Sequence, residues 1–198
     1  MKYDSIIFDM DGTIWNTEKE VCLAWNKVLA DAGHPKRVTG DELAGYMGLP
    51  MTEIAKRMFG TDNYDSVAEL FGRCMQYENE YIAKHGALLY PDLINTLKQM
   101  YTKIPLFIVS NCQSGYIEAF FKAYLCFGDT GELKDHNIRL LARRNNLNSP
   151  VYIGDTKGDC EAAHAAGVDF IWASYGFGHS DNYEGRIDRF ADILSICE

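Results

Sequence analysis

Apolar residues first gather at 5–10, where Ile6, Ile7 and Phe8 run into Asp11-Gly12. A short, continuously apolar run closed by a turn-forming pair predicts a buried strand. From Thr17 to about His85 the spacing becomes helical. A first helix is expected over 18–32, ended by Gly33, a residue suited to the position just past a helix. Thr39 is placed to cap a short helix reaching 47, before Gly48-Leu49-Pro50 breaks the chain. Thr52 is placed to cap another, with Glu53 in its first turn and Gly60 beyond its end. Asp65 or Ser66 opens a long helix that reaches Lys84 and closes near Gly86. So much helix between two strands exceeds an ordinary βα connection, which predicts an inserted helical unit. After Pro91, helices over 92–100, 114–123, 136–145 and 160–166 alternate with strands over 104–109, 125–127, 151–153 and 170–172. That rhythm implies right-handed βαβ units and a parallel sheet. The expected organisation is an α/β core from 1–15 and 86–198, with a helical cap at 16–85.

Composition narrows the function classes more than it changes the fold. The 198 residues, 47% hydrophobic and 24% charged, suit one core with a small appendage. With 19 basic and 28 acidic residues the net charge is −9, which disfavours nucleic acid as a partner. A phosphorylated small molecule stays open, because a metal ion can reverse the local field. Cys22, Cys74, Cys112, Cys126, Cys160 and Cys197 are scattered without a C-x-x-C pair, so reduced thiols and a cytoplasmic setting are expected. No stretch approaches membrane-spanning length, and the first residues lack the apolar core of a signal peptide. A soluble monomer or weak homodimer is expected.

Ligands of a doubly wound sheet sit at the carboxyl ends of its strands. Three of the expected strands end in polar, turn-forming residues: Asp9-Met10-Asp11-Gly12-Thr13, Ser110-Asn111, and Gly154-Asp155-Thr156-Lys157-Gly158-Asp159. Four carboxylates converging on one rim would repel strongly without a cation. Oxygen ligands suit a hard ion, and Mg²⁺ is the first expectation beside phosphate chemistry.

These motifs resemble those of the haloacid dehalogenase superfamily, in its capped phosphatase and phosphomutase branch. Asp9 to Thr13 match D-x-D-G-T, Ser110 matches the second motif, Lys134 the motif lysine, and Gly154 to Asp159 match G-D-x-x-x-D. The resemblance spans nearly the whole chain in the family's motif order. It implies a Rossmann-like core with a helical cap, and hydrolysis of a small phosphate monoester through an aspartyl-phosphate. By the same resemblance, Asp9 is the nucleophile and Asp11 the acid and base. Mg²⁺ is held by Asp9, Asp155 and the backbone carbonyl of Asp11, with Asp159 behind them orienting a metal-bound water or Lys134. Ser110, Asn111 and Lys134 hold the phosphoryl group.

Simpler readings stand beside these. Asp-Gly after a strand is a common turn, and Asp155 and Asp159 would suit a helix N-terminus. Ser110 could be a plain helix cap. Lys134 is followed by Asp135-His136 where the family usually has a proline, and Lys157 is the alternative lysine. Asn16 stands where many relatives carry a carboxylate. Trp15, Asn16, Gly48, Leu49, Pro50 and Arg57 are candidate substrate contacts, whereas Trp25, Tyr77 and Tyr81 read as packing. A β-phosphoglucomutase-like sugar phosphomutase uses the same intermediate and stays open. So does an inactive phosphate-binding protein. A dehalogenase is disfavoured, since it needs neither Asp11 nor a metal.

Overall fold

The first apolar run becomes β1 (Ser5–Phe8), wholly buried in the computed structural model, which describes residues 2–117 and 124–196. The chain then forms β2 (Trp15–Asn16), α1 (Glu18–Asp31), α2 (Gly40–Ala44), α3 (Met51–Phe59), α4 (Ala68–His85) and β3 (Leu88–Leu89). β2 and β3 pair antiparallel, Trp15 opposite Leu89, and so tie together the chain's way into the helices and its way out. α1 lies against α4, with Trp25 edge-on to Phe71 at 5.5 Å between ring centroids. Thr39 caps α2 in a capping box with Glu42, as its spacing predicts.

Beyond β3 come α5 (Leu93–Met100), β4 (Leu106–Ser110), β5 (Tyr124–Cys126), α6 (Phe127–Thr130), α7 (Lys134–Arg144), β6 (Pro150–Gly154), α8 (Lys157–Ala165), β7 (Asp169–Ala173), β8 (Gly185–Ile187) and α9 (Ile193–Ile196). The main sheet has the order β5-β4-β1-β6-β7-β8 and is parallel throughout. The chain lays β4 and β5 on one side of β1, then returns to lay β6, β7 and β8 on the other. That reversal sets the ends of β4, β1 and β6 side by side, where such sheets bind ligands.

Side chains alternate across the sheet, so Ile6 and Phe8 join one buried cluster and Ile7 the other. α7 and α8 cover the Ile7 face through Ile138, Leu141 and Ala163. α5 and α9 cover the opposite face, where Phe8 stacks on Phe190 at 5.7 Å. The α/β architecture with a parallel sheet is thus the one the alternating pattern predicts.

Several boundaries differ from the expected ones. α3 starts at Met51, directly after Pro50, whose fixed φ of −61° and extended ψ of 145° launch the helix without a cap from Thr52. A 3-10 turn at Tyr64–Ser66 precedes α4, which therefore opens at Ala68. Residues 114–117 form a turn and bend rather than helix; the remainder of that expected helix, 118–123, lies outside the described residues, as does Cys197. β8 escaped the pattern because Gly-Arg-Ile offers no apolar run. The five described cysteines are all free, and among the described residues no helix is long and apolar enough to cross a membrane.

Candidate active site

The backbone N–H of Asp9 donates to the Ile153 carbonyl at 2.8 Å, extending the β1–β6 ladder by one residue. This sets Asp9 at the sheet's rim, 3% exposed. The chain then turns, with the N–H groups of Thr13 and Ile14 both donating to the Met10 carbonyl. Gly12 sits at a φ of +81°, and a Cβ there would lie 2.3 Å from Asp155 Oδ2. Only glycine fits, on both counts.

Asp11 is fixed by three donors on a single oxygen. Its Oδ1 accepts from Trp15 Nε1 at 3.0 Å, Thr17 Oγ1 at 2.6 Å and Tyr116 OH at 2.7 Å. Burial raises its pKa, and the hydrogen bonds from Thr17, Tyr116 and Trp15 work against that rise.

Asp155 follows β6 and is fully buried. Its Oδ2 accepts from the N–H groups of Phe177 at 2.7 Å and Gly178 at 3.2 Å, while its buried Oδ1 has no partner. Next along the chain, Thr156 caps α8 in a capping box with Asp159, whose Oδ2 accepts from the Thr156 N–H at 2.9 Å and Oγ1 at 2.7 Å. The other oxygen, Asp159 Oδ1, takes Lys134 Nζ at 2.5 Å.

Lys134 is the first residue of α7 and not a residue before it. Leu133 is extended, with its carbonyl accepting from the Asn137 N–H at 3.1 Å, so the helix begins two residues earlier than the polar Asp-His-Asn run suggests. The Lys134 side chain is 3% exposed, and its Nζ bridges Asp159 and Asp9 Oδ1, the latter at 3.0 Å. Burial acts to lower its pKa, but the charges of Asp159 and Asp9 outweigh this and hold it above the usual lysine value. Lys157, the other candidate lysine, is exposed and faces Glu161 at 3.5 Å.

One oxygen each from Asp9, Asp155 and Asp159 can be chosen so that all lie within 4.8 Å of one another. Three carboxylates and one ammonium leave two net negative charges. Burial and mutual repulsion accordingly push Asp9 up to about 7 and raise Asp155 well above the carboxylate range. A divalent cation fits this set: it would match the charge, and Asp155 Oδ1 is an otherwise orphaned buried acceptor. Asp159, with both oxygens already engaged, stands behind the ion site. The carboxylate of Asp11 is not in the group, so its share in holding a metal would pass through its backbone carbonyl.

Ser110, 4% exposed at the end of β4, lines the same cavity as Asp9, Asp11 and Lys134. Asn111 lines it too, and donates from Nδ2 to the Gly48 carbonyl at 2.9 Å, joining the β4 end to the helical block. Of the candidate contacts on that block, Gly48 and Leu49 line the cavity. Arg57 instead pairs with Glu53 at 2.9 Å on the surface, Pro50 precedes α3, and Asn16 Oδ1 accepts from the Glu18 N–H at 3.1 Å. Trp25 packs as expected but also reaches the cavity. Sequence reasoning passed over Thr17, Glu78, Gln113 and Tyr116, all of which line it.

The fold and its strand-end acids place the chain in one class: it belongs to the haloacid dehalogenase-like hydrolases, whose family profile matches residues 6–173. It is 26% identical over 217 residues to the phosphoglycolate phosphatase of Aliivibrio fischeri, covering 96% of this chain and 95% of that protein. Its fold is similar to that of a haloacid dehalogenase-like hydrolase from Bacteroides fragilis, with a TM-score of 0.85, 21% identity and coverage of 97% of this chain and 100% of that one. CbbY from Rhodobacter sphaeroides, solved in complex with phosphate, matches with a TM-score of 0.80 and 19% identity over 96% of each chain.

Proposed function

We propose that this hydrolase is a Mg²⁺-dependent phosphatase that removes phosphate from a small monoester by way of an aspartyl-phosphate on Asp9. The observation that carries this reading is the buried bridge from Lys134 Nζ to Asp9 and Asp159, with the unpartnered Asp155 Oδ1 beside it. Phosphoryl transfer depends chiefly on position and charge, and this arrangement supplies both. The phosphoglycolate phosphatase name of the relative from Aliivibrio fischeri points the same way.

Asp9 and Asp155 would hold the ion, with the Asp11 carbonyl. When bound, Mg²⁺ supplies positive charge against the phosphoryl oxygens and the two carboxylates. Lys134 keeps Asp9 oriented and offsets the charge that builds on the transferred group. Ser110 and Asn111 would hydrogen-bond the phosphoryl oxygens from the β4 end. Asp9 then attacks phosphorus, and the bond to the leaving oxygen breaks. Asp11 delivers the proton that oxygen needs. Because Oδ1 of Asp11 already accepts from three donors, its proton belongs on Oδ2. A water then attacks the phosphorylated Asp9, gives its proton to Asp11, and frees inorganic phosphate.

The helices from Glu18 to His85 act in this reading as a cap. Leu43, Tyr46 and Leu49 from that block line the cavity over Asp9, which favours a compact leaving group and keeps bulk water away. The test uses Asp9→Asn and a chelator. Asp9→Asn is expected to abolish phosphate release with the fold intact, and EDTA to silence the wild type until Mg²⁺ is restored. Retained turnover in Asp9→Asn, or full activity in EDTA, contradicts the mechanism.

A further inference from the structure

The cavity runs on past Asp9 and Asp11 into the helical block, where its lining includes Glu78 and Gln113, which phosphoryl transfer does not use, together with the amide oxygen of Asn111. Glu78 of α4 is 4% exposed and lines it together with Asn111 and Gln113 of the loop that follows β4. Trp25 Nε1 donates to Glu78 Oε2 at 2.5 Å. Gln113 is anchored in turn, its Nε2 donating to Asn79 Oδ1 at 2.8 Å. Two buried oxygens on this wall, Gln113 Oε1 and Asn111 Oδ1, have no partner. Buried acceptors left open are costly, and a ligand hydroxyl is the group that would satisfy them. Among the described residues the only cation lining the cavity is Lys134, whose Nζ is engaged by Asp9 and Asp159.

We infer that this wall reads the leaving group and selects a small monoester bearing hydroxyl groups over one bearing a carboxylate. The inference rests on the phosphatase reading and gives it a substrate class. A hydroxyl donates to Gln113 Oε1 or Asn111 Oδ1. A carboxylate has only acceptors, so it would meet two amide oxygens, with no free cation among the described lining residues. This separates the chain from relatives named for phosphoglycolate, whose leaving group is itself an acid.

The test compares kcat/KM, with Mg²⁺ present, for 2-phosphoglycolate and 2-hydroxyethyl phosphate, which differ only in carboxylate against hydroxymethyl. para-Nitrophenyl phosphate, whose ester group carries neither a carboxylate nor a hydroxyl, serves as a third substrate. The wild type is expected to prefer 2-hydroxyethyl phosphate by at least about tenfold, and Gln113→Leu to shrink that preference by about tenfold. Should Gln113→Leu fail to fold, the near-isosteric Gln113→Met is expected to lower kcat/KM for 2-hydroxyethyl phosphate by about tenfold relative to para-nitrophenyl phosphate. A preference for 2-phosphoglycolate overturns the inference, as do ratios that neither variant moves. Hydrolysis of para-nitrophenyl phosphate alongside a preference for 2-phosphoglycolate sinks this inference alone. No phosphate from any of the three removes the phosphatase reading and this one with it.

Discussion

Four acids stand within a few residues of strand ends, yet each is held differently, and the differences sort their roles. Asp9 shares Lys134, Asp155 keeps one oxygen free, Asp159 has both engaged, and Asp11 is turned toward Trp15, Thr17 and Tyr116. Glu78 is a further buried acid, away from the strand ends, and its burial pushes it from 4.5 up to about 8. The folded protein therefore binds that proton more tightly than the unfolded chain. Its favourable effect is full below the unfolded value and is lost as pH rises toward 8. Glu78→Gln, which keeps an acceptor for Trp25, is expected to raise Tm relative to wild type at pH 9 and to change it little at pH 5. Equal shifts at both pH values would show that Glu78 is not held in the neutral form. Glu78 could not be read from the sequence, because an acid between Tyr77 and Asn79 on an amphipathic helix reads as solvated surface. Its partner Trp25 lies 53 residues away.

At the scale of elements, the site depends on where helices begin. α8 opens with the Thr156–Asp159 capping box, so one device both starts the helix and aims Asp159 at Lys134. Thr156→Ala is expected to cost about 1 kcal/mol of stability, measured by chemical denaturation. It should also lower kcat, because Asp159 loses the hydroxyl that fixes Oδ2. An unchanged kcat would mean that Lys134 and the Thr156 N–H suffice to position Asp159. The strand ends were legible because each joins an apolar run to a polar turn, and Gly12 and Gly154 admit close approach where a Cβ would collide with Asp155 or Asp159. The start of α7 was not, since Leu133-Lys134 carries no capping signal and the helix is fixed by the Asn137 N–H and by the Lys134 ion pairs. β2, β3 and β8 are two or three residues long and are made by pairing rather than by local propensity.

Across the whole molecule, the sheet order turns three separated motifs into one rim, and the helical block lays a second wall over it. Alternating strands and helices forecast the first of these, since connection rules leave few ways to wind such a chain. They say nothing of the second, because contacts such as Asn111 to Gly48 join residues 63 apart that share no pattern. Closing the charge imbalance at the rim should also stabilise the entire fold. Mg²⁺ at a hundred times its Kd is expected to add about 2.7 kcal/mol, seen as a rise in Tm, and Asp155→Asn to lose most of that rise. An equal rise in the variant would place the ion elsewhere. The most direct measurement is to quench the enzyme during turnover, reduce with borohydride and map the peptides by mass spectrometry. An aspartyl-phosphate is reduced to homoserine, expected at position 9 only, only with substrate and Mg²⁺, and never in Asp9→Asn. Homoserine at another position, or none while phosphate is still released, would contradict the account.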